Sequence, residues 1–142
     1  MIFRCIVPVE SHVVKKNGRT IFTNKATGRM FPGKSNKLVQ AENHLVKEFR
    51  DAWWRHGPED RKPIDYPINV MFLFYFNEAE FYTKKGLMSK HIADLSNLYQ
   101  LPEDCLQKSK IIDNDFFISG HDGSRRLSTL DQNYLELIIT KC

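Results

Sequence analysis

The chain opens on a β-branched stretch, Ile2–Val9 (IFRCIVPV), whose partial alternation of apolar and polar positions predicts a strand. The segment KKNGRTIFTNKATGRMF carries two turn signals, Asn17-Gly18 and Thr27-Gly28, and predicts a basic hairpin over about 11–34 with its tip at Asn24 to Gly28. From Ser35 the period changes. Leu38, Ala41, Leu45, Phe49, Ala52 and Trp53 step by three or four, which is one face of an amphipathic helix. Ser35 or Asn36 can cap it, and His56–Pro58 stops it. Ile68–Phe76 (INVMFLFYF) is apolar almost throughout and predicts a central strand buried on both faces. NEAEFYTKKGLMSK, with Gly86, predicts a polar loop.

Ser96 and Asn97 are good helix N-cap types, so a second helix is expected there. Pro102 predicts a break in it: one turn over Ser96–Leu101, then a helix with Pro102 in its first position. Leu98 and Cys105, with Leu101 beside them, point to the core. Ile111–Ile112 and Phe116–Ser119 read as a strand interrupted by an acidic turn, HDGSRR as a turn, and Asn133–Thr140 as a last strand. The order is strands, helix, strand, helix, strands. It predicts one α/β (α+β) domain over 1–142, a single mixed sheet with two main helices packed on it.

At 142 residues one domain is the natural reading, and 42% hydrophobic with 27% charged residues is ordinary for a globular protein. Cys5, Cys105 and Cys142 are odd in number and lack C-x-x-C spacing, which argues against a disulfide framework or thiolate zinc site. A reducing, cytosolic location is expected. No apolar run approaches about 18 residues, and the opening residues are too short and β-branched for a signal peptide, so no membrane span or leader is expected.

Charge changes the picture more. Residues 1–40 hold eight bases against Glu10 alone, a local net of +7 where the whole chain has +4. Such a segment favours a polyanion, or is a solvated loop. Lys15, Lys16 and Arg19 are the leading phosphate-binding candidates, with Lys25 and Arg29 in the same segment and Arg125 and Arg126 in HDGSRR.

The carboxylates gather elsewhere. Asp94, Glu103, Asp104, Asp113 and Asp115 follow one another, with Asp122 just beyond. Glu103 and Asp104 in a first helical turn can complement the helix dipole. Alternation would place Asp113 and Asp115 on one side of an extended strand. Carboxylates held that close repel unless a cation lies between them, and magnesium, a hard octahedral ion, suits one or two carboxylates plus phosphate oxygens. A solvated turn is the plainer reading of the same residues.

ADLSNL followed by EDCL and IIDNDFFI resembles the RusA family of Holliday-junction resolvases, whose members show D-x-D-N-L, a helix ending in D-A-L, and a D-D turn into a strand. Asp94, Leu95, Asn97 and Leu98 match the first block, Asp104 and Leu106 the second, and Asp115 the third. PVESHVVKKNGRTIF resembles the family's lysine-containing opening. The resemblance is loose over most of the chain and closest over Asp94–Ile118. It implies a RusA-like fold and a homodimeric endonuclease cutting four-way DNA junctions with Mg2+ or Mn2+ held by aspartates. Asp94 and Asp115 would hold the metal, Asp104, Asp113 or Glu103 would complete its shell, and Asp94, Asp115 and Asp104 would be catalytic. A phage origin, acting in the host cytoplasm, is a further implication.

Three positions depart from the family pattern. Ser96 stands for the second aspartate of D-x-D-N, Asn114 for the first of the paired aspartates, and Gln100 for a lysine. Serine is a poor metal ligand and glutamine supplies no positive charge. Retained cleavage with a substitute acid is one reading, and a junction-binding protein that has lost cleavage is the other. An interaction protein whose basic arm meets an acidic partner is a third.

Among other residues, Phe72, Phe74, Phe76 and Trp53 are expected in the core, His91 on the surface, and Trp54 at a dimer contact or over Pro58. No Gly-rich phosphate loop is present, so no nucleotide cofactor is expected.

Overall fold

The computed structural model describes residues 1–12, 19–23, 26–28, 30–34 and 36–142, with 19–23 and 30–34 described at the backbone only. Apolar residues at alternate positions build the main sheet. Its strands are β1 (Phe3–Pro8), β4 (Ile68–Asn77), β5 (Ile118–Gly120), β6 (Arg125–Thr129) and β7 (Tyr134–Lys141). The order is β1-β7-β4, with β5 and β6 following one another along the far edge of β4. β7 pairs antiparallel with both β1 and β4, whereas β5 and β6 run parallel to β4, so the sheet is mixed. β2 (Arg19–Thr23) and β3 (Met30–Lys34) form a separate antiparallel hairpin, the ladder expected from the turn signals.

Two helices cover one face. α1 (Asn36–His56) buries Leu38, Leu45, Phe49 and Trp53, the stripe read from the sequence. α3 (Leu95–Lys108) buries Leu98, Leu101, Cys105 and Leu106. Facing them are Phe3 and Val7 of β1, Val70, Phe72, Phe74 and Phe76 of β4, and Leu135, Leu137 and Ile139 of β7, all buried. The helices are tied to each other by the Lys108–Glu42 ion pair at 3.2 Å. The fold is therefore a single mixed-sheet α+β domain with two main helices.

Four local expectations are corrected. β4 alternates buried and half-buried residues along its whole length, so one face packs against the helices and the other carries Met71, Leu73 and Tyr75 half-exposed. The near-continuous apolar run concealed this because its outward residues are also apolar. The polar segment after β4 contains a short helix, α2 (Glu78–Phe81), whose first turn is capped by the Asn77 side chain accepting from Ala79 N–H at 3.0 Å. α3 is continuous through Pro102, and it begins at Leu95 with Asp94 as cap residue, not at Ser96 or Asn97. Pro102 is buried in a crevice lined by His12, Leu45, Phe74 and Leu98, and this packing offsets the missing hydrogen bond.

The fourth concerns the acidic turn. Asp113 and Asp115 do not lie on an extended strand. The Asn114 side chain accepts from Phe116 N–H at 2.8 Å and starts a 3-10 turn over Asp115–Phe117, which breaks the alternation between the two aspartates.

α3 ends in a left-handed residue. Lys110 has φ 66°, and its neighbour Ile111 donates back to the Leu106 carbonyl at 3.1 Å. Only glycine adopts this conformation without cost. Lys110→Gly is expected to stabilise the domain by about 1 kcal/mol, read as a higher urea midpoint with unchanged m-value.

Candidate functional site

α3 runs antiparallel to β4. The Tyr99 ring lies 5.9 Å from Phe72 and 6.3 Å from Phe74, while further along the helix Glu103 reaches His121, which is bonded to Val70. Near its end, the Gln107 side chain accepts from Asp115 N–H at 3.3 Å. α3 thus begins at the Asn77 end of β4 and finishes at the Ile68 end, where Ile118 pairs with Ile68.

This decides the fate of the proposed aspartate pair. Asp94 sits at the start of the 14-residue helix, exposed and with no side-chain capping bond. Asp115 sits beside its end. At ~1.5 Å per residue the helix is about 20 Å long, whereas magnesium holds its oxygen ligands at about 2.0–2.1 Å. Asp94 and Asp115 are therefore not brought together within one chain. Among the described residues no three His, Cys, Asp or Glu side chains cluster as a metal-binding group. Asp113 and Asp115 share the far end, both exposed, with Asp113 N–H donating to the Ile64 carbonyl at 2.9 Å. Glu103 and Asp104 lie along the helix, roughly 14 Å or more of helical rise from Asp94.

Glu103 has a different partner. Its carboxylate meets His121 Nε2 at 2.5 Å, and His121 Nδ1 lies 2.8 Å from the Val70 carbonyl. Both ring nitrogens face acceptors, which suits the imidazolium. The ring stacks 4.0 Å from Tyr99 and 5.6 Å from Phe72. Burial pulls its pKa down, but the Glu103 hydrogen bond, the Val70 carbonyl and the Glu103 charge together outweigh burial and raise it. The clamp fixes the loop between β5 and β6 against α3. No signal in the sequence reveals this pair, since its members are 18 positions apart.

His12 behaves oppositely. Its ring packs edge-on against Phe74 and Phe76 and bonds the Tyr75 carbonyl at 2.9 Å, and burial lowers its pKa despite that bond. The two histidines give stability opposite slopes with pH. The His121 contribution is complete below the unfolded pKa of about 6.5 and is lost as pH rises through its raised folded value. The His12 contribution is complete above about 6.5 and is lost on acidification through its lowered folded value. Glu103→Gln is expected to cost about 1–2 kcal/mol below pH ~6.5 and progressively less above it. Melting temperatures from pH 5.5 to 8.5 would check this.

The cations divide by position. Lys15, Lys16, Lys25 and Arg29 lie outside the described residues, and Arg19 is described only as backbone in β2. Arg125 and Arg126 pair with Leu73 and Phe74, so alternation sends them to opposite faces of the sheet. Arg126, on the helix side, donates to the Ala93 carbonyl at 3.3 Å, next to Asp94. The same end carries Lys84, Lys85, Lys90 and His91, all exposed. These lysines belong to the segment whose polar residues predict a loop, in TKKGLMSKH close before Asp94. His91 is on the surface as expected, and Trp54 is 65% exposed.

The three cysteines are free, and Cys142 is exposed. Cys5 and Cys105 are buried, and burial pushes the Cys5 thiol up to about 12 against the pull of Arg4. No helix among the described residues is long and apolar enough to cross a membrane. No protein-family model matches the chain, and no curated protein matches it.

Proposed function

We propose that this protein is a RusA-like, magnesium-dependent endonuclease of Holliday junctions and other branched DNA, working as a homodimer. One observation carries the reading: the exposed, uncapped carboxylate of Asp94 lies at the end of the domain that presents Lys84, Lys85, Lys90, His91 and Arg126. Lysines and arginine attract phosphates through counterion release and read backbone rather than bases. A carboxylate among them repels phosphate unless a divalent cation bridges the two. When bound there, magnesium would supply charge neutralisation at the phosphate and a lowered pKa for an attacking water. Asp94 would be one of its ligands. Manganese suits the same oxygen ligands.

A second reading, a branched-DNA-binding protein without cleavage, is favoured by the separation of Asp94 from Asp113 and Asp115 within one chain. One assay divides the two. A labelled four-way junction and a linear duplex are incubated with the wild type, Asp94→Asn and Asp115→Asn, with and without magnesium. Magnesium-dependent products from the wild type alone support the nuclease. Junction binding without products supports the second reading. Equal affinity for linear and branched DNA sinks both.

A further inference from the structure

The main sheet has a free edge on the side away from β5 and β6. Among the described residues β1 pairs only with β7. Val9 N–H donates to the Asn133 carbonyl at 3.1 Å, so by alternation Phe3, Cys5 and Val7 turn their backbone groups toward β7. Arg4, Ile6 and Pro8 then turn theirs outward. The Pro8 carbonyl bears this out, since it accepts from His44 Nε2 of α1 at 2.6 Å.

Edge strands are ordinarily blunted by proline, charge or cover. Pro8, which has no N–H, and His44 close one end of this edge. The rest stays open. Arg4 Nε is drawn onto Glu136 at 2.6 Å, and Ile6 is 51% exposed. The backbone N–H and C=O groups of Arg4 and Ile6 have no hydrogen-bond partner among the described residues.

α1 runs antiparallel to β1 along this edge, with His44 at Pro8 and the Trp53 ring 5.1 Å from that of Phe3. Between strand edge and helix is a groove of about 380 Å³, lined by Arg4 to Ile6 and by Glu48, Asp51, Arg55 and His56. Glu48 and Asp51 are half-buried at its middle and have no ion-pair partner among the described residues. The Glu48 charge reaches the Cys5 thiol. Arg55 and His56 are exposed, at the Arg4 end.

We infer that this groove takes an extended segment of a partner protein, added to β1 as a further antiparallel strand, with a basic residue opposite Cys5 and an acidic residue two positions later. The backbone groups of Arg4 and Ile6 would supply the pairing, and alternate side chains the selectivity. The residue opposite Cys5 turns to the α1 side, where Glu48 and Asp51 lack a cation. Two positions on, the same face of the added strand reaches Arg55 and His56. The residue opposite Ile6 turns to the other face and is apolar. A nucleic-acid strand would bring phosphates against Glu48 and Asp51, which repel them. None of the residues used here enters the nuclease reading.

Peptide titration tests the site. Fluorescein-labelled Thr-Val-Lys-Val-Glu-Thr-amide is followed by anisotropy against the full chain up to ~1 mM. Saturable binding is expected. The peptide with lysine and glutamate exchanged should bind at least ~10-fold more weakly, and Glu48→Gln/Asp51→Asn should weaken the first peptide by a similar factor. N-methylation of the valine after the lysine should abolish binding, because that amide faces Arg4. N-methylation of the lysine, whose amide faces away, should not. These two peptides keep the test independent of any variant's folding. No binding, equal binding of the exchanged peptide, or indifference to the position of the methyl overturns the inference. Self-association of the wild type that Ile6→Asp abolishes, with no peptide bound, makes a second copy the occupant and overturns it too.

Discussion

Asp94→Asn is expected to lower magnesium-dependent nicking of a four-way junction by at least ~100-fold while leaving junction binding as tight as wild type or tighter. The two halves of this expectation have separate causes. Asparagine keeps the shape of the side chain but removes the charge that holds a divalent cation. Without magnesium, that same charge opposes phosphate at a surface carrying Lys84, Lys85, Lys90 and Arg126. Neutralising it removes a repulsion and none of the cationic contacts, so the salt dependence of binding should be preserved. Stability should also change little, because the Asp94 side chain makes no capping bond. Rates and equilibrium binding, the latter with and without magnesium, would be measured on one preparation. Nicking that survives the substitution would remove Asp94 from the chemistry.

Phe72→Ala is expected to destabilise the domain by about 4 kcal/mol, within the range for truncating a buried aromatic. Phe72 is 0% exposed at the middle of β4, and its ring lies 5.7 Å from Phe74, 5.9 Å from Tyr99 and 5.6 Å from His121. Its loss opens a cavity under α3 and removes one ring of the three-ring cluster that holds His121. That loosens the clamp on the loop between β5 and β6 as well. A domain of this kind has only about 5–15 kcal/mol in total, so the variant should unfold at a much lower urea concentration. A loss under about 1 kcal/mol would mean that β4 is not the centre of the core.

The fold was largely legible because its main elements announce themselves locally. The Leu38 to Trp53 stripe has helical spacing, and the phenylalanines of β4 alternate. Pro102 misled for a physical reason: its intrinsic cost to a helix is real, but burial beside Leu45 and Phe74 outweighs it. Asn114 misled the other way. A single side-chain hydrogen bond turned what reads as a strand into a 3-10 turn. Site geometry was hardest to see. Asp94 and Asp115 are near in sequence, but a straight helix between two residues is a spacer, and only its direction across the sheet shows that they part. The Glu103–His121 clamp depends on which loop packs beside which helix turn, and residue spacing carries no trace of that.

The position of β7 has a consequence for how the molecule is made. β7 lies between β1 and β4, and Ile2 N–H bonds the Ile139 carbonyl at 2.8 Å. Among the described residues β1 therefore has no neighbour in the sheet until β7, more than 120 residues further along the chain, is available. Until then Phe3 can meet α1, whose Trp53 ring lies 5.1 Å from its own, but Phe3 and Val7 have no pleated surface to join. Closure of this sheet must await β7, at the slow rates that pairings between distant segments impose.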